Sequence, residues 1–188
     1  MPYKIFIDSK RKDQDLAKDL SRRLEKAGVQ VLPLEGIEDD SDFKIRESSG
    51  LHQADELILL LTPNSINSNR FVFDMGVAAS LEKPVTSIIL GVEPRELSPI
   101  IKESTRISYA DLESYISKLQ KRATGMQRAL ERMKEALRSE KFTWRSIERL
   151  ANIGGISESE ALNILQNDPD VVIGKGKSGE KLAKLKKR

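Results

Sequence analysis

The sequence contains no cysteine, which excludes disulfides, thiolate nucleophiles and thiolate-built zinc sites. It contains one histidine, His52, so no histidine cluster can hold a metal ion, and no metal site is expected. It has no long apolar run. The longest, from Leu57 to Leu61, is far below the ~20 residues of a membrane span. The start, Met-Pro-Tyr-Lys-Ile-Phe-Ile-Asp, lacks the apolar stretch of a signal peptide. There is no internal repeat and no long Pro/Gly/Ser linker. Neither sign of charge dominates: 32 Lys+Arg stand against 29 Asp+Glu, a net of +3. That balance excludes a uniformly basic nucleic-acid wrapper and a disordered acidic chain. A soluble cytoplasmic protein is expected, with carboxylates as the main catalytic groups.

The chain has 188 residues, of which 38% are hydrophobic, enough for a core. Its charge is unevenly placed. Residues 1–120 hold 16 Lys/Arg and 20 Asp/Glu, whereas residues 121–188 hold 16 and 9. The sign change predicts two domains, 1–123 and 124–188, with a junction near Lys121-Arg-Ala-Thr-Gly125 where Gly125 can interrupt a helix.

Residues 3–120 alternate strand and helix patterns. Residues 3–7 are strand formers. Residues 13–26 carry Leu16, Ala17, Leu20 and Leu24 at helical spacing, with Gly28 as a stop. Further strands are predicted at 29–32, 56–62, 85–90 and 106–108. Helices are predicted at 41–54, weakened by Ser48-Ser-Gly50, and at 70–82 and 111–121. The unbroken apolar run 57–61 predicts a strand buried on both faces. Alternation of this kind implies an α/β fold with a parallel sheet flanked by helices, whose ligand cleft lies beyond the carboxyl ends of the strands. Asp8-Ser9, the 34–42 loop and Thr62-Pro-Asn-Ser65 fall at that edge.

Lys4-Ile-Phe-Ile-Asp-Ser9 resembles the first box of Toll/interleukin-1 receptor (TIR) domains. Leu59-Leu-Leu-Thr-Pro-Asn-Ser65 resembles the third-strand signature of bacterial members, and residues 68–79 resemble the helix that follows. Lys83-Pro-Val85, Ile88-Ile-Leu-Gly-Val92 and Leu97-Ser-Pro99 fit the fourth strand and its exit loop. The resemblance covers roughly residues 3–120. It implies a flavodoxin-like five-stranded parallel sheet, self-association through the domain, and a link to NAD+. In members that cleave the nicotinamide–ribose bond, an essential Glu lies on the helix after the third strand. That position is Asp74 here, and the family's Trp position is Arg70. A carboxylate suits this reaction because the transition state resembles an oxocarbenium ion. Asp is one methylene shorter, so the carboxylate sits about 1 Å short, and such misplacement can cost ~100-fold. Slow cleavage is the expectation, with NAD+ as a substrate and no tightly bound cofactor.

Other candidates follow from position. Asp8 and Ser9 end the first strand, either as ribose contacts or as a turn. Arg70 can pair with a phosphate or a carboxylate. Phe43 either stacks on a ligand ring or packs in the core of the second helix. Glu38-Asp-Asp40 reads as a solvated loop and His52 as a surface residue.

Residues 126–188 show a different pattern. Met126, Ala129, Leu130, Met133 and Leu137 define an amphipathic helix. Thr143 is a predicted N-cap for a helix over 144–151, Gly154-Gly155 a turn, and Ser157 with Glu160 a capping box for the next helix. Val171-Val-Ile173 is a strand, residues 174–179 a hairpin tip, and 181–186 the return strand. The Gly174/Gly179 spacing matches a phosphate loop, but Glu180 and Lys181 replace its Lys and Ser/Thr, so that reading is rejected. The order resembles a small α+β winged helix-turn-helix domain. Lys175 and Lys177 on the wing suit phosphate contact, whereas the expected reading helix carries Glu158 and Glu160 and no Lys or Arg. DNA and protein contacts therefore both remain open. Three functions are compatible: NAD-linked signalling or defence, with Asp74 central; a non-enzymatic assembly module; and a DNA-tethered regulator.

Overall fold

The central strand shows why the sheet must be covered on both sides. In β3 (Glu56–Leu61) all six residues are buried. Successive side chains of a strand point to opposite faces, so helices must lie above and below it. The computed structural model describes residues 3–32, 49–138 and 143–186. The chain divides into two compact units, Tyr3–Lys121 and Arg122–Arg188.

In the first unit β3 is joined by β1 (Lys4–Asp8), β2 (Gln30–Val31), β4 (Val85–Ile89) and β5 (Thr105–Ser108). All pairings are parallel and the order is β2-β1-β3-β4-β5. This is the flavodoxin-like order expected from the sequence. Its direction reverses between β1 and β3, the switch point at which open α/β sheets bind ligands. The connecting helices are α1 (Gln14–Lys26), α2 (Ser49–Gln53), α3 (Asn69–Ser80), α4 (Pro99–Lys102) and α5 (Leu112–Arg138). Leu57, Leu59 and Leu61 pack on one face with Phe6, Leu51 of α2, Phe71, Met75 and Ala78 of α3, and Ile101 of α4. Glu56 points to the other face. It accepts hydrogen bonds from Tyr3 at 2.8 Å, Thr86 at 2.6 Å and Tyr115 of α5 at 2.6 Å. Burial and the Glu56 charge push the Tyr115 phenol well above its usual range.

Gly50 does more than weaken a helix. A Cβ there would lie 2.8 Å from the Phe6 ring, so the glycine admits the aromatic side chain beneath α2. Phe43 and the 34–42 loop lie outside the described residues, as does most of the helix expected over 41–54.

The second unit contains the C-terminal part of α5, then β6 (Arg145–Ser146), α6 (Ile147–Gly154), α7 (Glu158–Gln166), β7 (Val171–Lys175) and β8 (Lys181–Leu185). The strands form an antiparallel sheet of order β6-β8-β7. Its core joins Leu130, Met133 and Leu137 to Ile147, Leu150, Ala161, Ile164, Leu165 and Ala183. The Ser157–Glu160 capping box forms as expected, and Gly155 ends α6 with a left-handed φ of 71°. Among the described residues no helix is long and apolar enough to cross a membrane.

Three local expectations are corrected. The helices expected over 111–121 and 126–137 are one 27-residue helix, α5, unbroken at Gly125. Buried Leu112, Ile116, Leu119, Ala123, Leu130, Met133 and Leu137 continue one stripe through residues 121–125. That stripe outweighs the ~1 kcal/mol cost of an interior glycine. Thr143 does not cap α6. Ser146 does, accepting from the Arg149 amide, because Arg145 and Ser146 first pair with Ala183 and Leu182 of β8. Gly174 and Lys175 belong to β7 rather than to the hairpin tip. A Cβ at Gly174 would lie 2.8 Å from the Trp144 ring, which rests against the strand.

A Cβ at Gly125 meets nothing within 4 Å. Gly125→Ala should therefore stabilise the protein by about 0.4–1 kcal/mol, read as a higher urea midpoint at unchanged slope. A lower midpoint would contradict a continuous helix through this position.

Candidate functional site

Strand periodicity aims Asp8 at α3. Asp8 ends β1 two residues after Phe6, so both side chains lie on the face that α3 covers. On α3, the buried residues Phe71, Asp74, Met75 and Ala78 form one helical stripe. Asp74 is thus a carboxylate at a position where the pattern calls for an apolar side chain. Arg70 lies one turn before it, at the i,i+4 spacing that favours an ion pair.

These three residues meet. The Arg70 Nε is 3.4 Å from Asp8 Oδ1 and 3.6 Å from Asp74 Oδ2. The Asp8 and Asp74 side chains are only 1% and 4% exposed, while Arg70 is 36% exposed and carries the cluster toward the surface. Burial pushes the Asp8 carboxyl well above the usual carboxylate range. Arg70 opposes that shift, the Asp74 charge and a side-chain hydrogen bond with Asp74 reinforce it, and Lys10 weakly opposes it. Burial and the neighbouring Asp74 carboxyl together favour the protonated form of Asp8 more than the single guanidinium disfavours it.

A second network fixes the segment between β3 and α3. Thr62 Oγ1 donates to Asp13 Oδ2 at 2.7 Å, and Asn64 Nδ2 donates to Asp13 Oδ1 at 2.9 Å. The Thr62 amide donates to Ser65 Oγ at 2.8 Å, and Ser65 Oγ donates to the Leu60 carbonyl at 3.0 Å. Asp13 precedes α1 but its side chain makes no cap hydrogen bond. It ties the chain leaving β1 to the chain leaving β3 instead. Sequence reasoning missed this role, because an Asp before a helix reads first as a cap; the signal available was the Thr-Pro-Asn-Ser turn.

Of the residues singled out in the sequence, Asp8, Arg70 and Asp74 are brought together. Ser9 is buried next in the chain, and Ser68 is buried at the start of α3. Their hydroxyls make no hydrogen bond to the described residues. Buried polar atoms left in this state cost about 1–3 kcal/mol each. Phe43 lies outside the described residues. His52 is exposed on α2, and its backbone carbonyl accepts from Lys83 at 2.7 Å. Lys175 and Lys177 are exposed on the β7–β8 hairpin of the second unit.

Residues 5–125 match the family model of the TIR domain. The chain belongs to the TIR-domain family. No curated protein matches it. Several solved structures are similar to it. One is a conserved protein from Enterococcus faecalis V583, 16% identical over 65% of this chain and 99% of that one, with a TM-score of 0.47. Another is a metazoan TIR-STING receptor from C. gigas in complex with 2',3'-cGAMP, 18% identical over 64% and 39%, with a TM-score of 0.46. A third is a CMP N-glycosidase from Clostridium botulinum, 18% identical over 62% and 96%, with a TM-score of 0.41. In this TIR domain the acidic cluster sits at the switch point of the sheet, held by α3 and by the ends of β1 and β3.

The proton on Asp8 has a measurable consequence. The folded carboxyl keeps its proton to higher pH than the unfolded one, whose pKa is ~3.9. Folding thus holds a proton above about pH 4, and the Asp8 contribution to stability falls as pH rises toward the folded pKa. Asp8→Asn removes this slope. In urea melts the variant should gain on wild type as pH is raised from about 4 toward neutrality. A difference that stays constant over this range would show that Asp8 ionises as an ordinary carboxylate.

Proposed function

We propose that the first unit is an NAD-linked signalling or defence domain that cleaves the nicotinamide–ribose bond of NAD+, with Asp74 as the central carboxylate. One observation carries the reading: Asp74 breaks the apolar stripe of α3 to stand buried beside Arg70 and Asp8 at the ligand edge of a TIR sheet. An ionised carboxylate there stabilises the developing oxocarbenium charge and orients the ribose hydroxyls. Arg70, the most exposed of the three, is placed to meet a phosphate or carboxylate of the ligand. Asp8 and Ser9 supply further polar contacts at the same edge. NAD+ is a substrate in this reading, and no tightly bound cofactor is required.

Concentrated protein incubated with NAD+ should release nicotinamide slowly. Asp74→Asn should lower the rate at least ~100-fold, and Asp74→Glu, which restores the family's longer side chain, should raise it. No release from either wild type or Asp74→Glu would end the enzymatic reading. Self-association in the same sample without release would instead favour a non-enzymatic assembly module, for which Val72 and Phe73 of α3, 41% and 38% exposed, offer apolar surface.

A second reading concerns the other unit, taken as a domain over 124–188. The order helix, short strand, two helices and hairpin supports a winged helix, and exposed Lys175 and Lys177 on the hairpin suit phosphate contact. The N-terminal turn of α7, with Glu158 and Glu160 in a capping box, faces DNA poorly. Contact would therefore run through the hairpin and carry little sequence preference. A duplex gel shift at low salt should weaken on Lys175→Ala/Lys177→Ala, with the salt slope smaller by about 2. Absence of any shift at low salt would remove DNA as a partner.

A further inference from the structure

We infer that Asp8 is a second catalytic residue of the TIR site, a proton donor that equips it to cleave N-glycosides of neutral nucleobases as well as NAD+. The inference rests on the reading of Asp74 as the carboxylate that faces C1′. It begins from a mismatch between the site and NAD+ chemistry. The nicotinamide of NAD+ carries a positive charge while attached and departs as a neutral molecule, so its release needs no acid. A neutral purine or pyrimidine departs readily only if it is protonated as the bond breaks. A site for NAD+ alone would need one carboxylate, yet two stand here.

The geometry suits an acid and a base side by side. Asp8 and Asp74 flank a single guanidinium at 3.4 and 3.6 Å. They arrive from different elements, β1 and α3, so both are held by the packed core rather than by a loop. Arg70 and Asp74 from α3, with Lys10 from the segment after β1, are the charged groups that act on Asp8. Burial favours the protonated form of Asp8, which suits it to the part of the acid and leaves Asp74 to face C1′. A pair of carboxyl groups in which one acts as the acid is how most glycoside hydrolases break the glycosidic bond.

The reaction balances with water as the only co-reactant. The C1′–N bond breaks and its electron pair goes to the base, which takes the Asp8 proton. Asp74 stabilises the positive charge at C1′. A water oxygen then bonds to C1′, and the proton lost by that water returns to the carboxyl pair. The products are the free base and the ribose sugar.

The test compares leaving groups at one site. Wild-type protein, Asp8→Asn and Asp74→Asn are each incubated with NAD+ and, separately, with AMP and CMP, and the released bases are separated by chromatography. The expected result is base release from AMP or CMP by wild type, with Asp8→Asn lowering that release at least ~10-fold more than it lowers nicotinamide release. As a second readout needing no variant, neutral-base release by wild type should decline with rising pH over a range in which nicotinamide release does not. Nicotinamide release without any release from AMP or CMP would overturn this inference and leave the reading of Asp74 intact. Equal loss of both activities in Asp8→Asn, with parallel pH profiles in wild type, would make Asp8 a positioning residue and also overturn it. Release of neither base type by wild type would overturn both.

Discussion

Full burial of β3 is the constraint from which the first unit follows. A strand whose six residues are all inside must have helices on both faces and paired strands on both edges. Parallel pairing then requires each strand to return by a crossover, and the crossovers put α1 and α3 after β1 and β3. Both chains therefore leave the sheet at one edge, beside each other, where the strand order reverses. Asp8, Asp13, Thr62 and Ser65 are all residues of those exits. The bonds from Asp13 to Thr62 and Asn64 fasten the two exits together. The position of Arg70 and Asp74 relative to Asp8 is a consequence of that fastening and of the apolar stripe that seats α3.

Buried carboxylates at the two ends of the sheet show how differently the fold treats the same chemical group. Glu56, at the amino end of β3, receives three hydroxyl donors at 2.6–2.8 Å. Those donors offset the cost of removing it from water, and they join β3, β4, α5 and the start of β1 into one rigid unit. Asp8, at the carboxyl end of β1, has a guanidinium at 3.4 Å and a second carboxyl as its neighbours. The Arg70 distance exceeds an ordinary hydrogen bond. The Glu56 end is organised for stability. The Asp8 end leaves polar capacity buried and incompletely used, which is the pattern of a site rather than of a strut.

Much of this was readable from the sequence. Strand and helix alternation and the continuous apolar run 57–61 were enough to place the parallel sheet, because both signals come from the burial that drives the fold. Asp74 was reached differently, through the resemblance of residues 68–79 to the family's helix rather than through the burial pattern. The misses share a different cause. Gly125 carries a strong local signal, but helix continuity was decided by a stripe running across it. Thr143 is a good cap by composition, yet strand pairing of Arg145 and Ser146 with β8, distant in sequence, moved the helix start. Gly174 reads as a turn until Trp144 is seen against it. The upward shift of the Asp8 carboxyl depends on its burial and on charged side chains from other parts of the chain, which no spacing in one dimension encodes.

The two departures from the family pattern, Asp74 and Arg70, form an electrostatic unit. A tryptophan at position 70 would bring no cation to the two buried carboxyls of Asp8 and Asp74. Arg70 sets one positive charge beside both. A net neutral cluster can be enclosed at modest cost, whereas a net charged one cannot. The shorter Asp side chain at position 74 is thus matched to the arginine one turn before it, and the pair is better understood as one change than as two.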